Sequence, residues 1–525
     1  MFSMQKSDYD WQYYIEKSNK ASLASPNGTF WPRGKMLGGS SSINAMLYIR
    51  GNRKDYDDWS DKGNPGWAYR NVLKYFKKSE DNRLAEESEQ FKAFHGLGGP
   101  LKVDMFFSFD PIKEMMIEAV KELGYNLIED PNAEEQMGFT FSQGTVEKRG
   151  RRSSTAKAFL TPAQNRTNLH VIKHAQVTDV IINDNKQAKG INMVINGKKL
   201  KATVKKEVIL SAGAIGSPHI LLNSGVGPKE HLTFAGVRTK VDLKVGRNLQ
   251  DHAIVFVPIK LHKTYAQPIP ADDIIDDIYM YLMHGVGSLS HLGLLDFTGF
   301  VNTQNKTSDY PDIQFHHFQY RMGEEQRLMT VLDKYGYDDN VRKSILSGIE
   351  KSELLMVMVV LLKPKSTGRI ELKFEQDPLD KPTIHGNYLD KREDVETLIR
   401  GVNVVKRLIH TKHAKQHEAE LLQVNLPGCA HIEFDKSGYW ECYVRHMTGT
   451  VYHPTSTCKM GPATDKTAVV DPRLKVHGVK GLRIIDASIM PDIISGNTNA
   501  PTIMIGEKGS DLIKEDWIEV QKEEL

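Results

Sequence analysis

Apolar residues in this chain gather into short blocks, punctuated by Gly, Pro and Asn, and not into long helical stripes. Leu169-His-Val-Ile and Val177 to Ile182 read as strands, and Gly190 to Ile195 with Lys201 to Val204 as a hairpin. Val208-Ile-Leu runs into Ser211-Ala-Gly-Ala-Ile-Gly and then Ser217-Pro-His-Ile-Leu-Leu-Asn-Ser-Gly. A buried strand, a small-residue turn, and a helix opened by Ser-Pro and closed by Gly make a unit of α/β type. The pattern changes between His252 and about Gly449. Leu354–Leu362 and Arg369–Phe374 are bounded by Lys363-Pro-Lys-Ser-Thr-Gly and Asp377-Pro-Leu-Asp-Lys-Pro, which suits a mainly antiparallel sheet. Helices such as Arg392 to Ile409 are expected on one side of it. The α/β character returns with a short strand in Gly481-Leu-Arg-Ile-Ile-Asp and a helix over Pro501 to Lys514. The expected fold is therefore α/β: a Rossmann-like nucleotide-binding domain over 1–252 and 450–525, into which an α+β substrate domain, 253–449, is inserted.

Composition narrows the function. The 525 residues, 40% hydrophobic and 26% charged, are enough for two large domains. Lys plus Arg is 69 against 66 Asp plus Glu, so there is no electrostatic footprint for nucleic acid. The longest purely apolar run, Leu354 to Leu362, falls far short of the roughly 20 residues a helix needs to span a bilayer. Cys429, Cys442 and Cys458 are too few for a disulfide framework or a four-cysteine zinc site, and Cys458 reads as a small buried residue. His410, His413 and His417 fall at helical spacing, but Lys412 and Lys415 interleave, so a solvated face is preferred and no metal is expected. His316 and His317 alternate along Ile313-Gln-Phe-His-His-Phe-Gln-Tyr, so at most one of them faces a pocket.

Three segments carry chemistry. In Arg33-Gly-Lys-Met-Leu-Gly-Gly-Ser-Ser-Ser-Ile-Asn, two adjacent glycines let backbone approach a ligand while serines and Asn44 offer donors. That suits a diphosphate or the polar edge of a flat ring. The second segment is Gly213 to Gly227 followed by Val245-Gly-Arg-Asn-Leu-Gln-Asp-His; taken alone it reads as tight strand–helix packing. The third is Tyr452-His-Pro-Thr-Ser-Thr-Cys-Lys-Met-Gly, where Pro454 restricts His453 to extended backbone. Downstream, Asn497-Thr-Asn-Ala-Pro-Thr precedes a helix whose N-terminus supplies partial positive charge to a developing anion.

These motifs, in this order and spacing, closely resemble the glucose–methanol–choline (GMC) flavin oxidoreductases. Trp31-Pro-Arg-Gly-Lys and Arg50-Gly-Asn-Arg-Lys-Asp-Tyr-Asp-Asp-Trp bring the insect glucose-dehydrogenase-like branch nearest. The resemblance runs over essentially the whole chain, with family signatures at Gly34–Asp57 and Gly213–Gly227. It implies oxidation of the CH–OH group of an alcohol or sugar with FAD, reoxidised by a quinone or by oxygen. His453 would be the base that draws the hydroxyl proton as a hydride passes to the flavin, and Asn497 would fill the second catalytic position. Flavin contacts would fall on Arg33, Gly38, Gly39, Ser40, Ser41, Asn44, Met46, Val177, Asp486, Ala487 and Thr498. Members with a histidyl-linked flavin carry the linking His where this chain has Ile43, which implies non-covalent FAD.

One family element is missing. The Gly-x-Gly-x-x-Gly of a first strand–helix–strand unit, which holds the diphosphate, is not found. Gly225-Val-Gly and Gly285-Val-Gly lack the third glycine, and Gly96-Leu-Gly-Gly does not follow an expected strand. The nucleotide-binding domain is therefore expected to be incomplete at its N-terminal side and to hold FAD weakly or not at all. The alternative function is a non-catalytic protein on the same scaffold.

Overall fold

The structure, a computed structural model, describes residues 4–106, 111–263 and 271–523. A seven-stranded antiparallel sheet forms one layer, in the order Ala419–Leu421, Ala253–Leu261, Glu353–Leu361, Ile313–Tyr320, Phe297–Val301 and Gly138–Phe141, with Gly449–Thr450 added beside Ala253–Leu261. One of its strands, Gly138–Phe141, comes from outside the expected 253–449 segment, and Gly449–Thr450 straddles the segment's end. Every position of Ile313–Tyr320 and Glu353–Leu361 is buried, which explains the unbroken apolar run of the latter: both faces are covered, so no polar alternation is needed. The helix Arg392–Leu408 covers one face. Gly401 lies so close to the sheet that a Cβ there would stand 2.4 Å from Val359 Cγ1, so a larger residue would lift the helix off the strand.

The second layer is α/β. Val208–Leu210 pairs in parallel with Leu482–Ile484, and among the described residues that parallel sheet has only these two strands. Beside it stands an antiparallel sheet of Ala175–Ile182, Ala188–Ile195 and Lys198–Thr203, the expected hairpin with one strand added. The helices Gly213–Asn223 and Asn499–Glu523 complete the layer. A second apolar core fills it, centred on Leu221, Leu222, Ile484, Met504 and Ile505.

Some local expectations fail for want of a partner. Leu169-His-Val-Ile is not a strand; no neighbour among the described residues offers it a ladder, and Leu169, Val171 and Ile172 stand exposed. Arg369–Phe374 shortens to Arg369–Glu371 and pairs with Thr383–His385 outside the large sheet. Helices at Glu325–Tyr335 and Asp339–Leu346, not expected in the middle region, pack beside the sheet, the first against Ile313–Tyr320.

Among the three cysteines, Cys429 and Cys442 form a disulfide, tying a turn to the helix Tyr439–Met447, and Cys458 is free and buried. The bridge closes a loop with a sequence separation of 13. In replacing Cys442 by Ser, we expect a loss of about 2–4 kcal/mol in chemical denaturation, because the unfolded chain regains loop entropy. An unchanged midpoint would show the bridge to be absent in solution. Together with His446, these two sulfurs are the only metal-ligand cluster among the described residues, and bridging occupies both thiols.

Candidate active site

The two layers enclose one large cavity of about 1120 Å³. The residues singled out from the sequence, scattered over more than 450 positions, all line it: Arg33, Gly38, Gly39, Ser40, Ser41, Asn44 and Met46 from the first segment, Val177 from the adjoining sheet, and His453, Asp486, Ala487, Asn497 and Thr498 from the last.

The Gly-Ser segment forms the floor. Gly38 adopts left-handed backbone (φ 86°) and starts a single turn, Gly39–Ser42. Ser41 Oγ donates to the Gly38 carbonyl at 2.6 Å and meets Thr155 Oγ1 at 2.9 Å, while Ser42 Oγ donates to the Leu37 carbonyl at 2.9 Å. Ser40 Oγ accepts the Gly34 N–H at 3.3 Å, so all three serines brace the loop, which leaves less hydroxyl chemistry for a ligand than their number promised. Arg152, which sequence reasoning missed, fastens the segment by donating to Asn44 Oδ1 (2.6 Å), the Asn44 carbonyl (2.8 Å) and the Ser41 carbonyl (3.1 Å). Burial lowers its pKa to about 10.

Asp486 is a structural hub. Its carboxylate accepts from the Gly213 N–H at 2.9 Å and from Ser217, and on its other oxygen from the Ser488 N–H at 2.8 Å. It thus locks the strand–turn–helix unit onto the strand Leu482–Ile484, and what it offers the cavity is backbone. Gly213 meets this bond in left-handed backbone (φ 79°), a conformation that resists a side chain.

The chemistry-bearing end lies under the antiparallel sheet. Tyr452 is left-handed (φ 67°), a strain of about 1–3 kcal/mol. Arg33 holds its carbonyl, and the Thr450 hydroxyl accepts its N–H at 2.8 Å. The turn aims His453 into the cavity, and Asp251 Oδ1 accepts the His453 backbone N–H at 2.8 Å. Desolvation raises the Asp251 carboxyl to about 6, against hydrogen bonds from Thr450 and Tyr388. His453 Nδ1 lies 3.0 Å from His252 Nδ1, and His252 Nε2 lies 3.0 Å from the Ile494 carbonyl. On the cavity side, His453 Nε2 is 3.3 Å from Asn497 Nδ2, and Asn497 Oδ1 accepts from Gln314 Nε2 at 3.2 Å. Burial first, then the neighbouring His252, Arg33 and His316, hold the His453 pKa well below its usual value, so the ring is neutral.

The loop carrying Asn497 is anchored by Asp55, whose carboxylate accepts from the Ser495 N–H (2.7 Å), the Tyr310 hydroxyl (2.7 Å) and the Lys363 ammonium (2.7 Å). His316 lines the cavity with Nδ1 buried and without a partner, whereas His317 turns away to the Phe297 carbonyl at 2.8 Å. Strand alternation thus selects His316 as the cavity-facing member of the pair. His252 and Gln314 also went unrecognised in the sequence. The only signal for His252 was its place at the end of Val245-Gly-Arg-Asn-Leu-Gln-Asp-His, and for Gln314 its place two residues before His316 on one strand face.

A deep cavity between an α/β layer and an antiparallel sheet, ending on a neutral imidazole beside an amide, is the form of an enclosed ligand site with a few convergent polar groups. The chain belongs to the GMC oxidoreductase family: the N-terminal family model matches residues 12–254 and the C-terminal one residues 364–506. It is 40% identical to "Glucose dehydrogenase [FAD, quinone]" of Drosophila melanogaster over 97% of this chain and 79% of that protein. It is 36% identical to the mitochondrial choline dehydrogenase of Homo sapiens over 96% of this chain and 79% of that one. Among solved structures, a formate oxidase is similar with a TM-score of 0.81 and 25% identity, covering 98% of this chain and 90% of its own.

Proposed function

We propose that this protein oxidises the CH–OH group of an alcohol or sugar using non-covalent FAD, with a quinone or oxygen as the final electron acceptor. The observation that carries the reading is the pairing of His453 Nε2 with Asn497 Nδ2 at the cavity surface. A neutral imidazole nitrogen and an amide N–H at one point suit a hydroxyl that loses its proton and then needs stabilisation as an alkoxide.

The residues present fit a flavin. At Gly39, Gly213 and Gly506 a Cβ would meet nothing within 4 Å, so the cavity reaches the backbone at three places where a flat ring system could lie close. Asn499 Nδ2 is buried without a partner where the helix Asn499–Glu523 begins, at the cavity wall. Helix N–H groups and this amide would suit an anionic ring edge. Ile43 lines the same cavity and offers no atom for a covalent link. FAD, when bound, supplies the acceptor for a hydride from the substrate carbon. The chain's own work is to hold the hydroxyl between His453 and Asn497, to receive its proton at His453 Nε2, and to exclude water beneath the sheet. His316 Nδ1, buried and unpartnered, would meet a second polar atom of the substrate. The glucose and choline named for the relatives above share a hydroxyl-bearing carbon, the common chemical denominator of the reading.

The test is a visible spectrum of the protein after incubation with FAD and removal of the free cofactor. A retained flavin band that bleaches on adding a sugar or alcohol is the expected result. A colourless protein would instead favour the non-catalytic scaffold.

A further inference from the structure

The hydrogen bonds around His453 form a directed chain, and its direction is fixed from both ends by backbone carbonyls, which only accept. At one end the Thr298 hydroxyl donates to the Phe315 carbonyl at 2.7 Å. Its oxygen then accepts from Gln314 Nε2 at 3.3 Å, and Gln314 Nε2 also donates to Asn497 Oδ1 at 3.2 Å. Asn497 must therefore turn Nδ2 towards His453 Nε2, which lies 3.3 Å away and can only accept. At the other end, the Ile494 carbonyl lies 3.0 Å from His252 Nε2, so that nitrogen carries a proton. A neutral imidazole has one N–H, so His252 Nδ1 is a lone pair. The nitrogen facing it at 3.0 Å, His453 Nδ1, must then be the donor. Both ends give the same answer: His453 holds its proton on Nδ1 and presents a bare Nε2 to the cavity. Running the chain in reverse would set the His252 Nε2 lone pair against the Ile494 carbonyl.

We propose that His252 is a positioning residue that fixes the tautomer of His453, so that the nitrogen facing the substrate hydroxyl is always the unprotonated one. The proposal rests on the reading of His453 as the base. His252 is fully enclosed, with a relative exposure of 0%, and never meets the cavity itself. Its ring stands nearly perpendicular to that of His453, at 85°, with the two Nδ1 atoms 3.0 Å apart. Burial first, and then the charged and titratable groups around the pair, keep both rings neutral. Lys363 bears on His252 and is itself paired to Asp55 at 2.7 Å; Arg33 and His316 bear on His453, while Asp251 takes only its backbone N–H. Such an orienting partner acts as the groups behind metal-bound or triad histidines do, where removing it leaves the ring free to adopt the wrong tautomer.

Three variants and one spectrum test this in the FAD-loaded protein. Nitrogen-15 NMR of histidine-labelled protein distinguishes a protonated from a bare ring nitrogen, with His453→Ala assigning the signal. The expected result is an Nδ1-protonated His453 across the neutral range. His252→Leu is expected to lower kcat about 10–100-fold with little change in KM, and to give mixed tautomers. His252→Gln, whose Nε2 can serve the Ile494 carbonyl while Oε1 faces His453, should recover most of that rate and the single tautomer. An Nε2-protonated His453 in the unaltered protein overturns the proposal, even if His252→Leu fails to fold. So does a His252→Leu variant with the original rate and tautomer, provided His453→Ala is inactive. If His453→Ala keeps its rate, it is the assignment of the base that falls.

Discussion

Replacing His453 with alanine is expected to lower kcat for alcohol oxidation by about 10²–10⁴-fold while leaving flavin retention and thermal stability nearly unchanged. The argument is one of position and charge state. His453 Nε2 is at the cavity surface beside Asn497, and burial keeps the ring neutral, so the base is ready without first losing a proton. Because its pKa is held below the usual 6.5, the acid limb of kcat/KM should fall below pH 6.5 and be absent from the alanine variant. Stopped-flow reduction of the flavin, followed from pH 5 to 9, measures both. Equal rates in the two proteins would remove His453 from the mechanism.

Acid should unfold this protein well before ordinary carboxylates titrate. Desolvation holds His252 and His316 at about 3 and His219 and His317 at about 4, and it also pushes His453 down. Each is neutral when folded but takes a proton when unfolded, so between the folded and unfolded pKa values the unfolded chain binds more protons and stability falls with pH. From pH 6.5 to 5 that is at most about 2 kcal/mol per histidine. Asp251 and Asp296, both raised by burial to about 6, act in the opposite direction, because they gain protons on the folded side between about 4 and 6. His231 and His385 are lowered too, while Asp312, Asp486 and His95 are raised, so seven histidines stand against four carboxyls and one histidine. The thermal midpoint should therefore drop steeply between pH 6.5 and 5, against a net stability of roughly 5–15 kcal/mol for a domain. His219→Gln, remote from His453, should flatten that slope. A midpoint constant over this range would mean that the buried histidines are already charged or hydrated.

Much of the fold was readable because its signals are local. Val177 to Ile182, the hairpin after it, the strand–turn–helix around Gly213, the antiparallel strands and the helix Arg392–Leu408 all follow from runs of apolar residues and their punctuation. The strand read at Leu169 failed because apolar composition does not supply a hydrogen-bonding neighbour. Likewise, the bridge between Cys429 and Cys442 depends on the turn that brings them together, which spacing does not specify.

By itself, the sequence pointed to the family through its motifs, and to the cavity's floor and the His453 turn, because glycine freedom, the proline after His453 and the run of donors at Gly38–Asn44 are properties of contiguous residues. Only the tertiary structure decided which groups surround His453. His252 reaches His453 across 201 positions and Gln314 reaches Asn497 across 183. His316 was separated from His317 by which face of a strand met the cavity. The proton on His453 is placed by two backbone carbonyls, Phe315 and Ile494, whose direction no side-chain pattern encodes. Local sequence sets what a residue can donate or accept; packing two layers against each other sets who is there to receive it.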